Sequence, residues 1–220
     1  MGLSGLLQIL FTVLLCGMLV AAVVSFAIMG LRQIRRTRDL RHEAYKLGMR
    51  FSPSDPFDVP RRYAGFWLMG SGHSQRASNV TYGRLEDRVV RAFDFRYEGG
   101  HGTQRVSRHY EVVVLEVDRQ LPSLLMWSDH DQELAPLVTM GCDGHLVAWN
   151  FKGDRDLASV LAGARKEWAD RAVSFEAGPC GLMVFSKAKR RIGSFAGDLV
   201  ETVRAMALTD LLVEKSDEMN

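Results

Sequence analysis

The first 31 residues lack Asp, Glu, Lys and Arg altogether. Residues 6–31 are almost continuously apolar, interrupted only by Gln8, Thr12 and Ser25. At about 1.5 Å per residue, a helix of these 26 residues is roughly 39 Å long, which exceeds the ~30 Å hydrocarbon core of a bilayer. The absence of charge therefore predicts a membrane-spanning helix that crosses with some tilt.

Positive charge appears abruptly where the apolar segment ends. Between residues 32 and 41 the only acid is Asp39, and the basic residues are Arg32, Arg35, Arg36, Arg38 and Arg41. Arginines close to a span are retained on the cytoplasmic side, which predicts a signal anchor with its N-terminus outside and the following domain in the cytoplasm. A cleaved signal peptide, with Ser25-Phe26-Ala27 as its site, fits less well because the basic n-region is missing and the apolar run is too long.

Cysteine is scarce, and the charge of the domain is close to zero. The three cysteines, Cys16, Cys142 and Cys180, form no disulfide framework, although one bridge between the last two stays open. Beyond residue 41 the chain has 23 basic and 25 acidic residues. A general nucleic-acid binder needs a basic face, so no nucleic-acid partner is expected.

The remaining pattern predicts one α+β domain with a mainly antiparallel sheet and helices packed on it. The expected division is a transmembrane anchor at 1–31, a basic juxtamembrane helix at 32–52 and a cytoplasmic domain at 53–220. Within the second segment, residues 37–49 have apolar residues at helical spacing, which predicts an amphipathic helix that ends near Gly48. The next stretch, to residue 72, is rich in proline and aromatic residues, so it is expected to pack on the core without a long helix.

Alternation with a period of two predicts the strands, and helical spacing predicts two later helices. The expected strands are 79–85, 88–97, 105–117, 121–127 and 145–151, followed by a hairpin around Gly178-Pro179-Cys180. The third of these is apolar on both faces at residues 112–115, which places it centrally in the sheet. A helix is expected at 154–168, capped by Asp154 or Asp156 with Leu157, Val160, Leu161, Ala164 and Trp168 on one face, and another at 194–212, capped by Ser194.

Aromatic and glycine positions carry a resemblance to a known family. They are Gly48-Met49-Arg50-Phe51, Pro56-Phe57, Tyr63, Phe66, Gly70, Asn79-Val80, Gly83 and Phe93-Asp94-Phe95-x-Tyr97 before a Gly-rich turn. Together with the basic single-span start, they resemble a widespread family of uncharacterised bacterial single-pass membrane-anchored proteins over residues 30–185. The resemblance implies a bacterial source and a common domain, and it transfers no catalytic residue; the localisation expected from the anchor is the bacterial inner membrane.

Four polar clusters could carry chemistry, and each has a structural alternative. Cys142-x-x-His145 has the spacing of zinc ligands, with Cys180 as a third, but no second pair exists, so a turn is favoured. Asp129-His130-Asp131-x-Glu133 could bind a cation or act as acid and base, but the same residues favour a helix start. The Gly-rich segment 98–103 joins two strands, so a hairpin tip is favoured over a phosphate loop. Ser71, His73 and Ser74 match no nucleophile elbow and are predicted to form a polar loop.

The function favoured by these features is a membrane-tethered, non-enzymatic domain that contacts protein or lipid, without metal or cofactor. Its possible anionic-lipid contact is the cluster Lys187, Lys189, Arg190 and Arg191, for which a solvated turn is the alternative. Its possible helix–helix face, for self-association or another membrane protein, is the small-residue series Gly17, Ala21 and Ser25. The alternative is a hydrolase-type membrane-anchored enzyme whose dispersed site uses acids and His101, His109 or His130.

Overall fold

The computed structural model describes residues 3–85, 87–100, 102–128, 141–146, 148–164, 173–187 and 199–207. The chain divides into two compact units, Met1–Asp39 and Leu40–Asn220. The first unit is helical, and the second holds the sheet.

One helix, α1, runs from Leu3 to Lys46 without a break. Its apolar part is long and apolar enough to cross a membrane, and its side chains from residue 10 onward are exposed; Phe26, for example, is 72% exposed. Gly48 follows the helix in the left-handed conformation, with φ of 68°, which suits a glycine just beyond a helix C-terminus. The predicted end near Gly48 is therefore confirmed, but residues 50–52 of the predicted juxtamembrane helix belong to the first strand.

The second unit is built on a nine-stranded sheet in which every pairing is antiparallel. The strands are β1 Arg50–Ser54, β2 His73–Leu85, β3 Arg88–Gly99, β4 Val106–Glu116, β5 Leu124–Ser128, β6 Gly144–Leu146, β7 Trp149–Gly153, β8 Val173–Gly178 and β9 Gly181–Lys187. Their spatial order is β1-β2-β3-β4-β9-β8-β5-β7-β6. The predicted α+β class is thus confirmed, and β4 lies inside the sheet as its doubly apolar sequence predicts.

Within the described residues, the other α-helical segments are α2 Val59–Arg62, α3 Arg155–Ala164 and α4 at residues 199–207. The Asp154 carboxylate accepts a hydrogen bond from the Leu157 backbone N–H at 2.8 Å, so Asp154 is the N-cap of α3 and Asp156 is not. Ser194, the predicted cap of the last helix, and Trp168 lie outside the described residues.

The two faces of the sheet are covered differently. On the helix face, Val113 and Leu115 of β4 lie in one core cluster with Ala44, with Leu161 of α3 and with Val203 of α4. On the loop face, strand residues belong to a second cluster together with the segment between β1 and β2, which contains α2. The members of that cluster that come from the segment are Val59, Tyr63, Phe66, Leu68 and Met69. The proline-rich segment therefore packs on the core, as its aromatic content predicts.

Three local predictions are wrong. Residues 145–151 form a hairpin of β6 and β7, with His145 opposite Asn150 and Leu146 opposite Trp149, instead of one strand. β2 begins at His73 and not at residue 79. The prediction missed its first residues because two register irregularities interrupt the alternation that marks a strand. His73 and Ser74 are thus strand residues and not a polar loop. Val160, predicted on the buried side of α3, is 36% exposed. The buried face of the helix is formed by Leu157, Ala158 and Leu161.

Candidate functional site

An acidic side chain is buried between the loop face and the segment that covers it. Glu176 of β8 is 1% exposed and accepts hydrogen bonds from the backbone N–H groups of Trp67 and Leu68, the latter at 3.2 Å. Burial raises the pKa of Glu176 to about 8, although the two backbone donors act in the opposite direction. The carboxyl group therefore attaches the covering segment to the middle of the sheet.

A second acidic group joins three elements of the same face. The Glu116 carboxylate at the end of β4 accepts hydrogen bonds from Arg91 of β3, from the Tyr63 hydroxyl at 2.6 Å and from Arg62 of α2 at 3.2 Å. The Arg91 guanidinium also donates to the Tyr63 hydroxyl at 2.8 Å and lies 4.9 Å from the centre of the Phe57 ring. This cluster attaches α2 and its flanking residues to β3 and β4.

The charge states in this cluster follow from its contacts. Burial acts to raise the pKa of Glu116, but the Tyr63 hydroxyl and the two arginines outweigh it and lower that pKa. Burial and the hydrogen bond to Glu116 raise the pKa of Tyr63. At neutral pH the cluster therefore holds one carboxylate between two guanidinium groups and a neutral phenol.

The third polar arrangement lies on the exposed end of the sheet, where β2, β3 and β4 run side by side. Arg76 is directly opposite Arg96, and Arg96 is directly opposite His109. Residues directly opposite in neighbouring strands share a face with Cβ atoms about 5 Å apart. We call these three residues the cationic row; all three are exposed.

Neighbouring side chains hold the centre of the cationic row in place. The Arg96 Nε donates to the Ser107 hydroxyl at 2.8 Å, and the same hydroxyl lies 3.3 Å from Nε2 of His109. The carboxylate of Glu98 lies within ion-pair distance of two guanidinium groups, Arg96 at 3.9 Å and Arg105 at 3.3 Å, and 3.8 Å from Nε2 of His73.

The predicted site residues are distributed over the whole chain. Gly17, Ala21 and Ser25 are exposed on α1, and an added Cβ at Gly17 would meet nothing within 4 Å. Arg35, Arg38 and Arg41 are exposed on the same helix, and Arg36 is partly exposed. Lys187 ends β9, whereas Lys189, Arg190 and Arg191 lie outside the described residues. The helix–helix face and the lipid contact at Lys187 stay predictions.

The candidate chemical clusters are placed as follows. Cys142 precedes β6, and its thiol lies 2.8 Å from the carbonyl oxygen of Gly144; His145 is within β6. Cys142 and Cys180 are free thiols. Among the described residues, no group of three His, Cys, Asp and Glu side chains is placed to hold a metal ion. Residues 129–133, His101 and His130 lie outside the described residues, so of the three suspected histidines His109 alone can be located.

Sequence reasoning missed Glu176, the Glu116 cluster and the cationic row. A signal for Glu176 is present, because its hairpin partner β9 is apolar at Leu182, Met183, Val184 and Phe185, on both faces. A run that is apolar on both faces indicates an internal strand, so β8 pairs with an internal neighbour and its acid lies beside apolar side chains. The other two clusters depend on strand register, which local patterns do not reveal.

Comparison with known proteins identifies a shared fold. No family model and no curated protein matches the chain. The crystal structure of the mycobacterial trehalose monomycolate transport factor A, TtfA, is similar with a TM-score of 0.52 and 14% sequence identity, covering 80% of this chain and 94% of that chain. The two folds are alike. At this identity the likeness concerns the fold alone, and the family resemblance over residues 30–185 stays a prediction.

Proposed function

We propose that this chain is a membrane-tethered, non-enzymatic protein of the bacterial inner membrane, in which α1 is an uncleaved anchor. The domain that follows lies in the cytoplasm and makes contacts with lipid or with another membrane protein at the bilayer surface. The observation that carries this proposal is α1, a candidate span that is apolar and exposed over residues 10–31 and is followed on the same helix by the exposed Arg35, Arg38 and Arg41.

Exposure of such an apolar helix to water is energetically unfavourable. Leu10, Leu19 and Phe26 are each more than 60% exposed, and the apolar side chains around the helix share this exposure. Monomeric soluble proteins rarely expose apolar patches larger than a few hundred Å². A lipid environment removes this cost, and the arginine flank supports retention of the following domain in the cytoplasm.

A contact role is favoured over an enzymatic one because the acids of the loop face hold the fold together. The carboxyl groups of Glu176 and Glu116 both accept hydrogen bonds that hold the covering segment to the sheet. The similar structure is named as a transport factor for trehalose monomycolate, which supports a role in contacts with lipid. The domain then acts as an accessory surface at the membrane.

Topology reporters test the proposal. A C-terminal alkaline phosphatase fusion should be inactive and a C-terminal fluorescent protein fusion should be bright, and the intact mass of the purified protein should include residues 1–31. An active phosphatase with a dark fluorescent fusion would place the domain outside the cytoplasm. A mature protein that begins after Ala27 would show that the helix is a cleaved signal peptide.

A further inference from the structure

We propose that the cationic row is a binding site for the phosphate of an anionic lipid headgroup. This inference rests on the proposed function, because the anchor is what keeps headgroups near the domain. The site consists of Arg76, Arg96 and His109 with the Ser107 hydroxyl beside them.

Like charges placed directly opposite each other in a sheet are destabilising. Arg76 faces Arg96 across β2 and β3, yet the Arg76 side chain has no hydrogen bond and no ion pair with the described part of the chain. Arg96 shares the single carboxylate of Glu98 with His73 and Arg105. An anion between Arg76 and Arg96 offsets the repulsion and supplies the acceptor that Arg76 lacks.

The spacing suits a phosphate group. Neighbouring strands lie about 4.8 Å apart, so the three residues span about 10 Å across β2, β3 and β4. Guanidinium groups donate in pairs to phosphate oxygens, and a hydroxyl group adds a further donor. Ser107 fixes Arg96 through its Nε, and the terminal nitrogens of that guanidinium stay available to a ligand apart from the 3.9 Å approach of Nη2 to Glu98.

The backbone of β2 is shaped around Arg76. Register irregularities occur between His73 and Arg76 and again between Ser78 and Thr81. Ser74 and Asn79 have φ of 57° and 52°, which residues other than glycine rarely adopt. Bulges of this kind re-aim side chains and are frequent beside binding sites, so the two irregularities support a dedicated position for Arg76.

A lipid headgroup is favoured over a soluble anion or an acidic protein because of the tether. A domain attached to a bilayer meets headgroups at a high effective concentration, so a weak site of a few charges is sufficient. The electrostatic attraction of one arginine to an anionic surface increases the affinity for that surface about fivefold.

The test uses the full-length protein in dodecylmaltoside micelles with water-soluble dihexanoyl lipids, measured by microscale thermophoresis. We expect dihexanoyl phosphatidylglycerol to bind at least fivefold more tightly than dihexanoyl phosphatidylcholine. Arg76→Gln and Arg96→Gln should each weaken the phosphatidylglycerol affinity about fivefold, and Arg76→Lys should retain most of it. The matched control is Arg50→Gln, an exposed arginine of β1 outside the row, which should bind like the wild type.

Four results would overturn the proposal. They are equal binding of the two lipids, an equal loss in Arg50→Gln, full competition by inorganic phosphate at concentrations similar to those of the lipid, and tighter binding of a hexaglutamate peptide than of phosphatidylglycerol. An equal loss in Arg50→Gln would indicate an effect of bulk charge. Competition by inorganic phosphate would indicate a soluble phosphate ligand, and tighter binding of hexaglutamate would indicate an acidic protein partner. None of these measurements depends on topology, so a failed site and a failed orientation are distinguished.

Discussion

At the scale of single residues, the buried Glu176 links the protonation state of the domain to its stability. Its pKa in the folded protein is about 8, whereas the ordinary value is 4.5. A raised pKa means that the folded state binds the proton more tightly than the unfolded state does. The resulting contribution to stability is therefore complete below about pH 4.5 and is lost as the pH rises through about 8.

Glu176→Gln removes this titration while keeping the size of the side chain. The wild type should lose up to about 1.4 kcal/mol of unfolding free energy per pH unit between about pH 5 and pH 8, relative to the variant. Thermal unfolding of the full-length protein in micelles, followed by tryptophan fluorescence at pH 5.5 and pH 8.5, measures the difference. If wild type and variant respond identically to pH, then Glu176 is not the titrating group.

The Arg91–Glu116 pair gives a second prediction at this scale. The Arg91 side chain is 12% exposed and that of Glu116 is 22% exposed, so loss of either partner leaves a charge poorly solvated. Arg91→Met should lower the unfolding free energy by about 2–3 kcal/mol, and the double variant with Glu116→Gln should cost less than the sum of the two single changes.

An exposed ion pair supplies the control for Arg91→Met. Arg61 lies 3.3 Å from Asp58, and its side chain is 88% exposed. Arg61→Met should change the unfolding free energy by no more than about 0.5 kcal/mol, because exposed pairs contribute little. Additivity in the double variant, or an equal effect of Arg61→Met, would show that the Glu116 cluster contributes little to folding.

At the scale of elements, the sequence allowed prediction wherever alternation was regular. β3 and β4 pair without a register shift, so residues such as Phe93, Phe95, Val112 and Val114 could be assigned to one face, and all four lie in the loop-face core. β2 contains left-handed residues at Ser74 and Asn79, which break the period of two and hide six strand residues. The turn between β6 and β7 has no glycine, proline or asparagine, which are the usual turn residues. The sequence pattern therefore predicted one strand where the structure has a hairpin.

Strand order could not be predicted from local patterns at all. β4 pairs with β9 and β5 pairs with β8, although dozens of residues separate each pair along the chain. Such pairings depend on how two apolar faces are buried together and not on any short motif. The cationic row and the Glu116 cluster arise from register in the same way, which is why the sequence indicated neither of them.

The β8–β9 hairpin offers a prediction about backbone conformation. Gly181 has φ of 130°, and a Cβ placed there would lie 2.1 Å from the carbonyl oxygen of Leu115 on β4. Gly181→Ala should therefore lower the unfolding free energy by about 2 kcal/mol or more, since both the backbone and the pairing with β4 are strained.

Gly163 is the matched control for Gly181. It lies exposed on α3, where an added Cβ meets nothing within 4 Å. Gly163→Ala should raise the unfolding free energy by about 0.5 kcal/mol, because alanine loses less backbone entropy in a helix. Urea titrations of both variants in micelles measure the two effects, and a neutral Gly181→Ala would contradict the close approach of β9 to β4.

At the scale of the whole molecule, α1 connects the proposed anchor to the sheet. The helix continues past the apolar segment and the arginines to Lys46, and Ala44, two residues before its end, is buried in the helix-face core. The second unit therefore includes the last turns of the helix, so a domain cut at residue 53 would lose part of its own core. Full-length protein is for that reason the appropriate material for the stability and binding measurements.

The last prediction concerns orientation. Replacing Arg32, Arg35, Arg36 and Arg38 with glutamine removes the charge difference between the two ends of the span, so a mixture of orientations should result. The C-terminal phosphatase fusion should then gain activity while the fluorescent fusion loses signal. A control that replaces Arg50, Arg61, Arg76 and Arg84, four exposed arginines of the second unit, removes the same charge outside the flanking segment and should leave both reporters unchanged. If the first variant keeps the wild-type reporter signals, or the control changes them equally, then the flanking arginines do not determine the topology and the cytoplasmic placement of the domain loses its main support.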